Sequence, residues 1–319
     1  MPRAPHSGDW LSLLALTALW GSAFLLNEIA LASFPPSVLV GGRIVIATVL
    51  IVGYMRVTGT ALPPMGRAWW PMLVLAVVSN VLPFQLIAWA QQHISSSLAG
   101  ILMAVMPLFV LTLAHFFIPG AKLTRYRVAG FAVGFTGVTV VIGPEFLRGL
   151  SGNTALLGAL ASLGAALSYS IGSIYARRLG AGDPLQRSAG MLIVGSMLSA
   201  PAALIDLSSV AAPGLTSVVA LIVLGLLATG FATLLYFRLI EGPGPTFISF
   251  VNYLVPGWAV IAGALFLDES LSSSVFVGLA LILAGIGLSE FGSRALDGLK
   301  ALRSRYWPFT AQSIVREDA

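Results

Sequence analysis

The sequence predicts an all-α fold, a polytopic membrane protein of ten transmembrane helices built from two inverted-topology five-helix repeats. Three observations carry this expectation. Only 9% of the 319 residues are charged and 57% are apolar, against about 25% and about 45–50% in soluble domains. Ten stretches are apolar over the length that a bilayer requires. The second half of the chain also repeats the proline and glycine pattern of the first. So little polar material cannot cover the surface of a soluble chain of this size. That excludes disorder, nucleic-acid binding and cytosolic catalysis.

A helix crosses the hydrocarbon core with about 20 mostly apolar residues. With Pro, Gly and charge clusters as breaks, the spans fall at 10–31, 37–57, 70–91, 96–118, 127–143, 154–177, 186–205, 215–240, 247–267 and 274–291. The first follows a single Arg with no small-residue cleavage site after it, so it reads as an uncleaved span. The connectors leave no room for an extramembrane domain. In the tail, Arg294, Lys300, Arg303 and Arg305 alternate with Leu296, Leu299 and Trp307, which suggests an amphipathic stretch in the membrane interface.

The seventeen Lys and Arg sort by side. With a cytoplasmic N-terminus, the cytoplasmic segments hold Arg3, Arg56, Arg67, Lys122, Arg125, Arg127, Arg177, Arg178, Arg187, Arg238, Arg294, Lys300, Arg303, Arg305 and Arg316. The other side holds Arg148, and Arg43 lies inside the second span. This asymmetry follows the positive-inside rule and puts both termini in the cytoplasm. It also explains the net charge of +5 without a nucleic-acid partner.

The repeat is read by laying Pro107 over Pro256, which lays 96–107 over 245–256. Beyond a one-residue gap, Leu123, Thr124, Gly130 and Gly137 lie over Leu271, Ser272, Gly278 and Gly285. Upstream, Ala18-Leu19-Trp20 lies over Ala166-Leu167-Ser168. Residues 1–148 form the first repeat, 149–293 the second and 294–319 a cytoplasmic tail. Five spans per half invert the second half, an arrangement typical of secondary transporters, whose substrate site lies between the halves near the midplane.

No Walker A sequence occurs, the three histidines are scattered, the twelve acids are dispersed and cysteine is absent. No ATP drive, metal site, cofactor or enzymatic chemistry is therefore expected. Within the spans, polar residues recur at helical spacing. Span one carries Trp20, Asn27 and Glu28; span two, Arg43; span three, Asn80, Pro83, Phe84, Gln85 and Trp89. Span six carries Ser168, Tyr169 and Ser173; span eight, Gly225, Thr229 and Thr233; span nine, Ser249, Asn252 and Pro256. An amide facing lipid is costly, so the asparagines face either a cavity or another helix. Ser and Thr commonly bond their own helix or a neighbour. Trp10, Trp69 and Trp70 read as interface belt, while Trp20, Trp89, Tyr169, Tyr236 and Trp258 sit deeper. Trp20, Asn27, Asn80, Phe84, Trp89, Tyr169, Thr229, Thr233, Ser249 and Asn252 are the substrate-binding candidates.

Glu28 and Arg43 flank the short Pro35-Pro36 turn, which allows an ion pair acting either as a gate or as a structural brace. Pro83, Pro107 and Pro256 remove helix hydrogen bonds inside spans and read as hinges or as static kinks. Gly130-x-x-x-Gly134 permits close helix contact, within the chain or in a dimer. A monomer is expected.

Trp20-Gly21-Ser22, Arg43 in GGRIVIA, SSSLAGILMAVMPLF at 95–109, GLLATGFATLLYFRLI at 225–240 and LDESL at 267–271 together resemble the EamA-type family of the drug/metabolite transporter superfamily, nearest the YddG-type amino-acid exporters. The resemblance implies an inner-membrane carrier that moves amino acids, aromatic ones included, outward by alternating access. Multidrug or nucleotide-type carriage and, outside transport, a channel or a non-transporting structural membrane protein are the alternatives. It also implies a gating acid, carried over only to Glu269, because Pro-Gly-Ala-Lys-Leu-Thr at 119–124 lacks the acid expected after span four.

Overall fold

The computed structural model describes residues 3–121, 124–148, 154–180, 182–269 and 272–306, and the side chains among them except those of 143–148, 245–246 and 290–306. All regular structure among these residues is helical. The helices are α1 (Ser7–Leu31), α2 (Pro36–Thr58), α3 (Trp69–Gln91), α4 (Ser96–Phe117), α5 (Arg125–Arg148), α6 (Thr154–Arg178), α7 (Pro184–Leu207), α8 (Leu215–Glu241), α9 (Val251–Phe266) and α10 (Ser273–Tyr306). The first eight are long and apolar enough to cross a membrane. The apolar stretches of α9 and α10, Val251–Phe266 and Ser273–Ser289, are shorter. The expected repeat boundary after 148 and the end of the tail from 307 fall outside the described residues, as do the side chains of the expected interfacial stretch.

Local chemistry sets the helix ends. Pro36 begins α2 and Gly59 ends it in the left-handed conformation, φ 69°, the usual division of labour between proline and glycine. Asp183 caps α7, accepting from the backbone N–H of Leu185 at 2.8 Å and of Gln186 at 3.2 Å, with Pro184 in the first turn. The N-terminal segment is fixed by a two-pronged Arg3–Asp9 ion pair and by the Arg3 N–H bonding to Gly242 O at 3.3 Å.

Three of the central helices are interrupted. In α3, Val77–Val81 is a π-turn segment immediately before Leu82-Pro83. Proline has no N–H to donate and its ring crowds the carbonyl four residues back, and the wider π turn gives that carbonyl room. In α4 the helix breaks at Ala104-Val105, just ahead of Pro107. In α8, Leu224–Phe231 is a second π segment with no proline nearby. Pro256, by contrast, sits inside the α9 helix, after a separate turn at Pro245–Ile248. Near both breaks, backbone carbonyls accept from hydroxyls of a neighbouring helix, which helps satisfy polar groups where water is excluded. Ser168 Oγ of α6 bonds Val78 O at 2.8 Å, and Ser170 Oγ bonds Met106 O at 3.1 Å. Two serines of α6, on different faces of the helix, thus tie it to both broken helices.

Small residues set the packing. On α5, a Cβ at Gly130 would collide with Gly285 O and the Ser289 side chain, and one at Gly137 would lie 2.7 Å from Gly278 O. Gly285 in turn faces Gly130 O and Gly134 N at 2.5 Å. The small-residue face of α5 is therefore used within the chain, against α10. On α1, Gly21 forms a notch for Trp258 of α9, whose Nε1–H bonds Ser22 Oγ at 2.8 Å. The buried apolar residues form two large clusters, one on each side of this framework. A third, around Leu13, Leu16, Leu235, Leu239 and Phe247, closes the end where α8 turns into α9.

Candidate functional site

Two polar groups lie inside the bundle. The first centres on Arg43, two turns into α2 and only 6% exposed. Its Nε donates to Thr229 Oγ1 of α8 at 2.7 Å, and its guanidinium carbon lies 3.8 Å above the centre of the Phe84 ring of α3. Phe84 meets Tyr169 of α6 edge-to-face, with centroids 6.3 Å apart. An arginine at the middle of a membrane helix costs about 2.5–3.5 kcal/mol on insertion scales, and the aromatic face offsets part of this. The α8 π segment holds Thr229 in place. Its hydroxyl donates to Leu224 O at 2.9 Å, five residues back, which leaves the oxygen lone pairs for Arg43. Asn80 lies in the α3 π segment, 4% exposed, and its side-chain nitrogen has no acceptor.

The second group lies at the end of the bundle where α1 turns into α2. Gln91, 3% exposed, receives the Asn27 Nδ2–H on its Oε1 at 3.0 Å and donates its own Nε2–H to Phe24 O at 2.8 Å and Glu28 Oε2 at 3.4 Å. Beside it, the Glu269 carboxylate closes the start of α4. It accepts from Ser96 N at 2.9 Å, Ser96 Oγ at 2.8 Å and Ser97 N at 3.1 Å, while Ser95 Oγ accepts from Leu98 N at 3.3 Å. The first three N–H groups of α4 are therefore all satisfied, with the negative charge at the positive end of the helix.

The structure corrects the expected Glu28–Arg43 ion pair. No salt bridge joins them; Arg43 faces Phe84 and Thr229, while Glu28 faces Gln91. Trp20 packs on Tyr236, centroids 5.6 Å apart, away from Arg43. Trp89 is 37% exposed and rests on His93 at the helix end. Thr233 bonds Thr229 O of its own helix at 2.6 Å. Ser249 lies in the turn before α9 and Asn252 in the first turn of α9. Asn80, Phe84, Tyr169 and Thr229 are thus the sequence candidates that α3, α6 and α8 supply at the centre. Gln91, which sequence reasoning missed, carries a sequence signal in being an amide at the last residue of an apolar span. Two surface hollows of about 510 and 530 Å³ lie at the α2–α3 loop and the α4–α5 turn. Each is built from one or two neighbouring elements and gathers none of these groups.

Replacing Gln91 by leucine leaves the Asn27 amide, whose Oδ1 already lacks a donor, without any side-chain partner. The expected loss is about 1–3 kcal/mol. A thermal-denaturation double-mutant cycle with Asn27→Leu should return a coupling between the two sites, and strict additivity would contradict the pair.

The family model described as "EamA-like transporter family" matches residues 7–143 and again 156–290. Among curated proteins, the chain is 28% identical over 293 residues to the uncharacterized inner membrane transporter YedA of Escherichia coli K12, covering 88% of this chain and 90% of that one. It is 26% identical to the uncharacterized transporter YvbV of Bacillus subtilis 168, covering 92% and 95%. It is 24% identical to a protein of Escherichia coli K12 named "Probable amino-acid metabolite efflux pump", covering 92% and 98%. A solved crystal structure superposes with a TM-score of 0.65 at 20% identity, covering 91% of this chain and all of that one. That likeness speaks for the fold alone.

Proposed function

The chain belongs to the EamA-like transporter family, a multi-pass membrane transporter for small molecules, and we propose that it exports amino acids, aromatic ones included, by alternating access. The observation that carries this reading is the convergence of Arg43 and Phe84 from the first matched stretch with Tyr169 and Thr229 from the second. A polar and aromatic site shared between two halves is what alternating exposure of one solute requires. The efflux-pump name of one relative supports the outward direction.

In this reading ten helices span the inner membrane as two inverted repeats, 1–148 and 149–293, with both termini and the 294–319 tail in the cytoplasm. Two features support the repeat. In the register that lays Pro107 over Pro256, the π segment Val77–Val81 falls within Leu224–Phe231 and Asn80 lies over Thr229. Glycines that correspond between halves also make exchanged contacts. Gly130 corresponds to Gly278 yet touches Gly285, while Gly137 corresponds to Gly285 yet touches Gly278. Exchanged contacts of this kind are the mark of a twofold interface. Arg43, Asn80, Phe84, Tyr169 and Thr229 hold the solute, Glu28 and Glu269 gate the far side, and Pro83, Pro107 and Pro256 are hinges.

The test is efflux of labelled phenylalanine and tryptophan from proteoliposomes, with and without an imposed proton gradient. Protein-dependent flux of both is expected. Absence of any amino-acid flux from correctly inserted protein removes the substrate assignment, and flux indifferent to the gradient assigns facilitated diffusion.

A further inference from the structure

Arg43 is the only buried basic residue among the described residues, and none of the described carboxylates pairs with it. Helices that carry a buried charge usually supply a partner for it. Here the protein supplies a ring face and one hydroxyl instead. The three donor nitrogens are used unequally. Nε is committed to Thr229, and one face of the guanidinium plane is covered by Phe84. The two terminal nitrogens donate to no described protein atom. What remains is the end-on fork, two parallel N–H groups in one plane, which matches the two oxygens of a carboxylate.

The surroundings reinforce that direction. The Thr229 hydroxyl proton is held by Leu224 O, so the threonine acts towards Arg43 as an acceptor and fixes its Nε side. The Asn80 side-chain nitrogen is a second buried donor without an acceptor, four residues before the Phe84 that covers the guanidinium. Phe84 and Tyr169, edge to face, offer apolar surface to whatever is attached to the anion.

We infer that the free fork of Arg43 is the anion anchor of the transport site and selects solutes bearing a single carboxylate next to an apolar body. This rests on the transporter reading above and deepens it. One buried cation neutralises one negative charge; a phosphate dianion in the same place keeps an uncompensated charge in a medium that penalises it.

The test uses purified full-length protein in lipid nanodiscs, with 3-phenylpropionate, phenethylamine and phenyl phosphate as probes of matched size. The readouts are the thermal-denaturation midpoint at saturating probe and the apparent affinity from its titration. Wild type should be stabilised by 3-phenylpropionate and not by phenethylamine, with phenyl phosphate the weaker anion. Arg43→Gln should weaken 3-phenylpropionate by about thirtyfold or more, and Arg43→Lys by less. No carboxylate-dependent shift in wild type, an equal shift with phenethylamine, or a stronger one with phenyl phosphate overturns the assignment. So does full retention in Arg43→Gln. If Arg43→Gln does not fold, the wild-type probe series and Arg43→Lys decide.

The two readings fail separately. A carboxylate shift that depends on Arg43, without phenylalanine flux, removes the amino-acid substrate and keeps the anchor. Equal flux of phenylalanine and phenethylamine removes the anchor and keeps the transporter.

Discussion

Gly285→Leu is expected to leave almost no folded protein, whereas Gly287→Leu, two residues along the same helix, is expected to leave the yield unchanged. A Cβ at 285 would sit 2.5 Å from Gly130 O and Gly134 N, and both are backbone atoms that no rotamer change can move. A Cβ at 287 meets nothing within 4 Å. Overpacking typically costs about 1–3 kcal/mol where side chains can adjust. Against backbone the upper figure is the floor, and 3 kcal/mol is about a hundredfold in the folded fraction. Fluorescence-detected size exclusion of the two variants after detergent extraction measures the contrast directly. Equal monodisperse yields would mean that α5 and α10 do not meet as described.

The second large effect is expected at Glu269. Glu269→Ala removes the acceptor for three hydrogen bonds and strands two N–H groups at the start of α4. Hydrogen bonds to a charged group contribute about 1.5–3 kcal/mol each, net of exchange with water. Ser97 is fully buried and the chain has no cysteine, so a single Ser97→Cys reports opening on a silent background. Adding Glu269→Ala should raise its rate of modification by a membrane-impermeant thiol reagent by about tenfold or more, the equivalent of about 1.4 kcal/mol of opening free energy. Glu269→Gln should fall between, because an amide oxygen can serve only part of the cap. An unchanged rate would show that the carboxylate does not hold this end closed.

Much of the fold was legible in the sequence because hydropathy and length alone define a membrane helix. The predicted span at 154–177 and the observed Thr154–Arg178 differ by one residue. The predicted span at 247–267 and the observed Val251–Phe266 differ more, because a turn at Ser249-Phe250 separates a short helical piece from the rest. Glycine spacing correctly marked α5 as a close-contact face, but spacing cannot name the partner helix. The π segments were invisible, since one extra residue per turn leaves composition untouched. Only Pro83 hinted at the first, and nothing hinted at the second. The Glu28–Arg43 pairing failed for a related reason. Nearness across a short turn fixes the height of two residues in the membrane but not the faces on which they lie. Thr229 and Phe84, far away in sequence, share the face of Arg43.

The seam between α5 and α10 also has a mechanical consequence. At Gly130, Gly137, Gly278 and Gly285 the two helices meet backbone to backbone, with the side chains of Ser289, Ile282 and Val141 packed tightly alongside. A shift of register by one residue would bring Phe131 or Phe135 into the space that Gly130 or Gly134 leaves free. The pair has a single stable setting, so it behaves as a fixed post. Under the alternating access proposed above, the helices around Arg43 would move relative to that post.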